Sequence, residues 1–191
     1  MHRGEWGRKF NVPYAAATTP PATSENLVLS EVMYHPAKPT EKEKQAGFKK
    51  ASDFEYVEFK NVSDAAIDLA GLFCREGIYF LIDSSTVIEP GSHFVLASNP
   101  EAFALRYSRP AEGEFHGQLR NEGERITIRD AGGSALAKLE YSSESPWPAK
   151  AAGEGASLSL KPSVLADSHR NLSAVESWTA SDSENGAPGR D

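Results

Sequence analysis

The chain has 191 residues, of which 39% are hydrophobic, and its formal net charge is −7. This length suits one domain with extended ends, and the acidic balance argues against a general nucleic-acid binder, because phosphate contacts need clustered Lys and Arg. No apolar run approaches the roughly 20 residues that span a bilayer, so no membrane span is predicted. The single cysteine, Cys74, excludes an internal disulfide and is expected to be a small core residue.

The N-terminal residues 1–26 are predicted to form an extended arm or linker. Segments rich in proline and small residues, such as this one, pack weakly. Residues 1–12 are charged and lack the apolar stretch of a signal peptide. We therefore expect the folded domain to begin at residue 27.

The first predicted strand runs over residues 27–34 and ends before Pro36. Both of its faces are apolar, which predicts that both are covered. Glu31 is the acidic residue in this run, and strict alternation places it on the same face as Leu27. A polar, Lys- and Glu-rich insertion over residues 37–52 follows. We expect it to be a solvated helix or loop, and a partner-binding loop is the alternative.

The second predicted strand covers residues 54–60. Tyr56 and Glu58 share one face, and Val57 and Phe59 share the other. This alternation with a period of two is typical of a strand that lies in a sheet.

The remainder of the chain alternates short apolar segments with turn signals. Asn99 and Pro100 are typical of a helix N-terminus, and this helix is expected to end near Tyr107. The clearest hairpin joins residues 124–130 to residues 136–141. The spacing predicts an all-β sandwich of about eight or nine short strands with one short helix.

Several segments, in this order, resemble the lamin-tail domain in the form found in bacterial proteins. They are LSEVMYHP (29–36), FEYVEFKN (54–61), IDLAGL (67–72), IEPGSHFVL (88–96), LRNEGERITIRD (119–130), PWP (146–148), SLSL (157–160), Trp178 and NGAPG (185–189). The resemblance covers residues 27–189 and implies an immunoglobulin-like β-sandwich without catalytic activity.

The resemblance implies an interaction or structural module of a larger bacterial protein, in an extracellular or cell-envelope location. The expected partners are proteins or surface polymers, and the acidic charge makes nucleic acid an unattractive partner. The chain departs from the family pattern at His35, where Asn is usual, at Leu72-Phe73, where a Trp is usual, and in the long insertion 37–52. These departures bear on the ligand rather than on the fold.

Four residues on or beside the first two strands are candidates for a divalent-ion site, and they are Glu31, His35, Glu55 and Glu58. Oxygen ligands would favour Ca²⁺ over Zn²⁺. The competing interpretation is a structural ion pair, because an inward carboxylate needs an Arg or backbone N–H groups. Arg125 on the later hairpin is the expected partner of Glu31 or Glu58. We predict the ion pair and no metal.

The sequence has no constellation typical of an enzyme. No Gly-x-Ser-x-Gly elbow occurs, and the five histidines are scattered along the chain: His2, His35, His93, His116 and His169. We therefore predict no enzymatic activity and no cofactor.

Three aromatic residues, Tyr141, Trp147 and Trp178, form a candidate binding surface. As a sugar-stacking platform they would make the domain a carbohydrate-binding accessory module of an exported enzyme, and a Ca²⁺-binding accessory module is the related alternative. The competing interpretation is that these aromatics pack at the edge of the sandwich. Edge strands can also pair between chains, so we expect a monomer or a weak edge-strand dimer.

Overall fold

The computed structural model of the protein describes residues 18–167 and 169–190. This described part contains thirteen strands, three short α-helices and three short 3₁₀ helices. The strands are β1 (Leu27–Met33), β2 (Tyr56–Asn61), β3 (Ile67–Asp68), β4 (Phe73–Cys74), β5 (Ile78–Leu81), β6 (Val87–Ile88), β7 (His93–Ala97), β8 (Gly113–Glu114), β9 (His116–Gly117), β10 (Gly123–Arg129), β11 (Ala135–Ser142), β12 (Leu158–Leu160) and β13 (Trp178–Ala180). The α-helices are α1 (Glu41–Gln45), α2 (Pro100–Tyr107) and α3 (Pro162–Leu165).

Two sheets pack face to face as a sandwich. The first has six strands in the order β13-β12-β1-β2-β7-β8, antiparallel except for the β7–β8 pair. The second has five strands in the order β11-β10-β4-β5-β9, and β3 and β6 form a separate pair. The inner faces share one core, which includes Leu29 and Val57 from the first sheet and Ile126 and Leu139 from the second. The predicted all-β sandwich is confirmed.

The longer elements lie where the sequence predicted them. The Asn99 side chain accepts the N–H of Ala102 at 3.1 Å, and α2 begins at Pro100 and ends at Tyr107. The hairpin is confirmed as the β10–β11 pair. The expected number of strands and helices was too low, because β3, β4, β6, β8 and β9 have two residues each and show no alternation. The additional helices, α1 and α3, are also very short.

A β-bulge in β1 interrupts the alternation of its side chains. Leu29 pairs with Phe59 and Glu31 pairs with Glu58, so one residue, Ser30, is extra. Because side-chain direction alternates with a period of two, the extra residue moves every later side chain to the opposite face.

The bulge places Glu31 on the outer face of the first sheet. Val32 belongs to the core between the sheets, whereas Met33 packs in a second cluster with Phe103 of α2. Glu31 therefore does not share the face of Leu27, and that prediction from strict alternation was wrong. The alternation predicted for β2 is confirmed.

The insertion 37–52 is anchored to α2 rather than solvated along its whole length. Thr40 and Glu43 form a capping box at the start of α1. Glu43 is buried, and Arg106 donates to both of its carboxylate oxygens, at 2.8 and 3.0 Å. The Arg106 guanidinium also lies 3.4 Å from the centroid of the Phe54 ring. The hydrogen bonds from Arg106 lower the pKa of Glu43 to about 2.

The predicted arm joins the fold before residue 27. The N–H of Asp68 donates to the carbonyl of Pro20 at 2.8 Å, and the N–H of Ala22 donates to the carbonyl of Asp68 at 2.9 Å. The end of the arm thus extends β3 on one side. Residues 1–17, including His2, lie outside the described residues. None of the described helices is long and apolar enough to cross a membrane.

Candidate functional site

Glu31 and Glu58 lie side by side on the outer face of the first sheet. The two residues are partners in the β1–β2 register, and their exposed fractions are only 4% and 2%. Burying two neighbouring carboxylates costs free energy unless polar groups compensate for the lost water. Distant parts of the chain supply those groups.

A C-terminal segment, Asn185–Gly189, crosses this pair, and we name it the strap. The main-chain N–H of Ala187 donates to Oε1 of Glu31 at 3.0 Å. The main-chain N–H of Gly189 donates to Oε2 of Glu58. Each carboxylate therefore receives one main-chain donor from the same short segment.

Side-chain hydroxyls also donate to the two carboxylates. Oε1 of Glu31 also accepts from the hydroxyl of Tyr56 at 2.6 Å and from the hydroxyl of Ser157. The hydroxyl of the bulged residue, Ser30, donates to Oε1 of Glu58 at 2.7 Å. The bulge thus has two effects on the site. It turns the Glu31 side chain outward, and it places the Ser30 hydroxyl beside Glu58.

Glu58 titrates near neutral pH in this environment. Burial, and after it the neighbouring Glu31 carboxylate, raises the pKa of Glu58 from 4.5 to about 7. Hydrogen bonds from the Gly189 N–H and the Ser30 hydroxyl oppose this shift. Nε2 of His93 lies 3.8 Å from Oε1 of Glu58.

An open groove of about 610 Å³ lies beside the strap. Its lining includes both carboxylates, the charged Lys60 and Arg190, and the apolar Leu160 and Leu165. Carboxylates in such a setting act as acceptors for N–H groups. The seated strap shows that main-chain N–H groups are bound there.

Of the four candidate ion ligands, the structure brings together Glu31 and Glu58 and places His35 and Glu55 elsewhere. The His35 ring packs against Gly153, where an added Cβ would lie 2.8 Å from its Cε1. Within residues 18–167 and 169–190, no group of three or more His, Cys, Asp or Glu residues is arranged to hold a metal ion.

Glu55 is a separate buried carboxylate at the beginning of β2. It is 2% exposed, and it accepts the N–H of Leu119 at 2.9 Å. Burial, with smaller contributions from the carboxylates of Glu124 and Asp53, raises its pKa to about 8 against the opposing hydrogen bond from Leu119.

The predicted ion pair of Arg125 with Glu31 or Glu58 is not formed. Arg125 instead donates to Oε2 of Glu140 at 2.8 Å, in an exposed pair. Arg125 points away from the core, because its neighbour Ile126 points into the core. The carboxylate pair faces outward from the other sheet. The sandwich therefore separates the two groups, and the prediction was wrong because it assumed a carboxylate that faces inward.

The candidate aromatic platform is not formed, and the competing interpretation, packing at the edge of the sandwich, fits these residues. Tyr141 and Trp178 are each 2% exposed, and Trp147 is half-buried. The indole N–H of Trp178 donates to the carbonyl of Leu172 at 2.7 Å, and the Tyr141 hydroxyl donates to the carbonyl of Arg120 at 2.9 Å. Packing rather than ligand stacking therefore accounts for these aromatics.

The second sheet carries exposed apolar side chains that were not predicted from the sequence. Tyr79 and Leu81 of β5 are 55% and 61% exposed. Leu81 pairs across the sheet with the half-buried Phe73, and we name these three residues the Tyr79 face. Arg75 lies 5.4 Å above the Phe73 ring, and Arg129 is the partner of Phe73 on β10. The available signal was an apolar residue at every position of β5, on both faces of the strand.

The chain matches the Lamin Tail Domain family over residues 20–143. No curated protein and no solved structure has a significant match to it. The matched range runs from the end of the arm through β11 and contains Glu31, Glu58 and the Tyr79 face, while the strap lies beyond it. Because the match covers more than half of the chain and the fold is the expected immunoglobulin-like β-sandwich, the chain belongs to the Lamin Tail Domain family.

Proposed function

We propose that this domain is a non-catalytic module of a larger bacterial protein and binds a protein partner through the Tyr79 face. The observation that carries the proposal is the exposure of Tyr79 and Leu81 beside each other on one strand. Large apolar side chains grouped on a surface mark contact sites, whereas scattered ones do not. The resemblance to bacterial members of the family supports the setting within a larger exported protein.

The chemistry around the Tyr79 face indicates the kind of partner. The exposed Arg75 lies over Phe73, and Arg129 lies beside it on β10. Tyr and Arg are enriched at the centres of protein interfaces. A complementary partner would present an apolar surface with a carboxylate at its rim, because Arg75 would attract an acidic group. Arg129 already pairs with Glu76 of this chain.

The position of the titratable groups supports the absence of catalysis. Glu31 and Glu58 are occupied by the strap and by hydroxyl donors. His35, His93 and His116 lie on separate parts of the fold. A catalytic relay needs a base within hydrogen-bond reach of a nucleophile, and these groups are explained by structure instead.

Site-specific photocrosslinking tests the proposal. A photoreactive phenylalanine derivative replaces Tyr79 in the full chain expressed in the bacterial cell, and the matched control carries it at Val87, which is 47% exposed on β6. We expect a defined protein adduct from position 79 and not from position 87. The captured protein, once purified, should bind the wild-type chain and bind Leu81→Ser at least ~10-fold more weakly. Equal adducts at both positions, or equal affinity for Leu81→Ser, would contradict the proposal.

A further inference from the structure

We propose that the Glu31–Glu58 site is a peptide-binding site, which the strap fills in cis and which accepts the same Asn-Gly-Ala-Pro-Gly segment from a second copy of this chain. This inference concerns the first sheet and does not depend on the Tyr79 face. The structure itself shows the ligand in place, since residues 185–189 are seated on the site.

The recognition is made through the main chain of the strap. Donors on alternate residues, Ala187 and Gly189, reach the two paired carboxylates. The hydroxyl of Tyr107 donates to the carbonyl of Asn185 at 2.8 Å. The site therefore also binds a main-chain acceptor of the strap. Main-chain hydrogen bonds of this kind provide affinity in peptide recognition, and side-chain space provides selectivity.

Glycine provides the selectivity. Gly186 has a φ of +81°, and a Cβ there would overlap the hydroxyl of Tyr56 and Oε1 of Glu31. Gly189 has a φ of +78°, and a Cβ there would overlap the guanidinium of Arg109. The site therefore favours glycine at both positions, because other residues rarely adopt a positive φ. The requirement is stricter at 186, where the overlapped groups are buried, than at 189, where the Arg109 side chain can move.

The strap is built so that it can be exchanged. Of the residues that connect it to β13, Ser181 is buried and hydrogen-bonded to Ser157, whereas Asp182 to Glu184 are exposed. Pro188 is the buried residue within the strap. Few apolar contacts therefore oppose its departure. At an empty site water would replace the two main-chain donors of the strap. A seated strap supplies these donors already oriented, so the site favours being filled by one strap or another.

The effective concentration of the chain's own strap, compared with the concentration of other copies, determines which strap occupies the site. A tethered strap has an effective concentration in the millimolar range, which favours the cis arrangement in dilute solution. When the chain's own strap is disabled, the site becomes available to another copy. Exchange of an identical element between protomers is the known physical route to such dimers.

A full-length chain with a disabled strap provides the first test. Gly186→Val prevents the strap from seating and leaves the carboxylates unchanged. A labelled peptide of residues 183–190, Ser-Glu-Asn-Gly-Ala-Pro-Gly-Arg, is titrated in an anisotropy assay. We expect saturable binding to Gly186→Val and at least ~10-fold weaker binding to the wild-type chain, whose own strap competes. The control peptide carries valine in place of its first glycine and should not bind.

Equal binding of the two peptides, or no binding to a Gly186→Val chain whose circular dichroism is that of a folded β protein, would overturn the proposal. A second measurement does not depend on how the variant folds. Wild-type chain is titrated with the peptide to about 10 mM, above the effective concentration of the strap. We expect the NMR signals of the Ala187 and Gly189 amides to shift as the strap is displaced. Unchanged signals over the whole titration would also overturn the proposal.

Discussion

Glu31 and Glu58 are direct partners across the β1–β2 ladder, and each accepts a main-chain N–H from the strap. Sequence separations of 156 and 131 residues lie between these donors and acceptors. The last described segment of the chain is therefore tied to the first strands of the sandwich. Because both carboxylates are buried, the strap is part of the structure that keeps them satisfied.

Gly186→Ala should destabilise the domain by about 3 kcal/mol, because the added Cβ overlaps the Tyr56 hydroxyl and the backbone has a positive φ. The matched control is Gly91→Ala. Gly91 has a similar φ of +71° but has no atom within 4 Å of an added Cβ. We expect the control to cost about 1 kcal/mol. Urea unfolding measures both, and equal losses would show that the strap is not tightly seated.

The free energy of unfolding should fall as pH rises from about 4.5 and should level off above about 8. Folding raises the pKa of Glu58 from 4.5 to about 7 and that of Glu55 from 4.5 to about 8. The folded state thus binds these protons more tightly than the unfolded state. The contribution is fully present below 4.5 and is lost as pH rises through the folded values. We expect urea midpoints to be lower at a pH of about 9 than at about 5.5.

Amide substitutions identify the groups responsible for this pH dependence. Glu58→Gln and Glu55→Gln should each reduce the dependence of the free energy of unfolding on pH, since glutamine does not titrate. The control Glu89→Gln changes an exposed carboxylate and should leave the profile as it is. A wild-type stability that is constant or increases between these pH values would contradict the assignment.

Arg106→Met should destabilise the domain by about 3 kcal/mol, because it leaves the buried Glu43 without its partner. The control is Arg125→Met, which removes an exposed pair with Glu140 and should change stability by less than about 0.5 kcal/mol. Thermal and urea unfolding measure both. Similar effects of the two substitutions would indicate that the insertion is not anchored through Arg106.

The same pair has a characteristic pH dependence. Folding lowers the pKa of Glu43 from 4.5 to about 2. Its contribution is therefore present above 4.5 and is lost as pH falls towards 2. The loss of stability with acid over this interval should be smaller in Arg106→Met than in the wild-type chain. An unchanged acid profile in the variant would argue against the pair.

The double substitution Tyr79→Ser with Leu81→Ser should change stability by less than about 0.5 kcal/mol, because both side chains are exposed. Phe80 on the same strand is 8% exposed, and Phe80→Ser should cost at least about 3 kcal/mol. Urea unfolding of the two variants compares the faces of β5. A large loss in the double variant would mean that the Tyr79 face supports the fold rather than binding a partner.

Features that depend on neighbouring residues were predictable from the sequence. Asn99 and Pro100 specify the start of α2 through local capping chemistry, and the alternation in β2 depends on its own residues. The bulge at Ser30 was not predictable, because one extra residue changes the face of Glu31 without changing the composition of the strand.

Features that depend on distant residues were also missed. The strap was recognised as part of a family pattern, but its contact with Glu31 is made across most of the chain. Arg125 was assigned to the wrong partner because the alternation within a hairpin shows which residues share a face. It does not show which other residues lie near that face. Glu43 lies in a charged run that is typical of a solvated segment, and only the approach of Arg106 from α2 buries it.

Amide hydrogen exchange in the full chain tests the central claim, that the Glu31–Glu58 pair holds the strap, most directly. The N–H groups of Ala187 and Gly189 should exchange at least ~100-fold more slowly than those of exposed residues 182–184, because each is bonded to a buried carboxylate. Exchange of Gly189 should accelerate in Glu58→Gln. Exchange of both amides at the rate of the exposed residues would contradict the account.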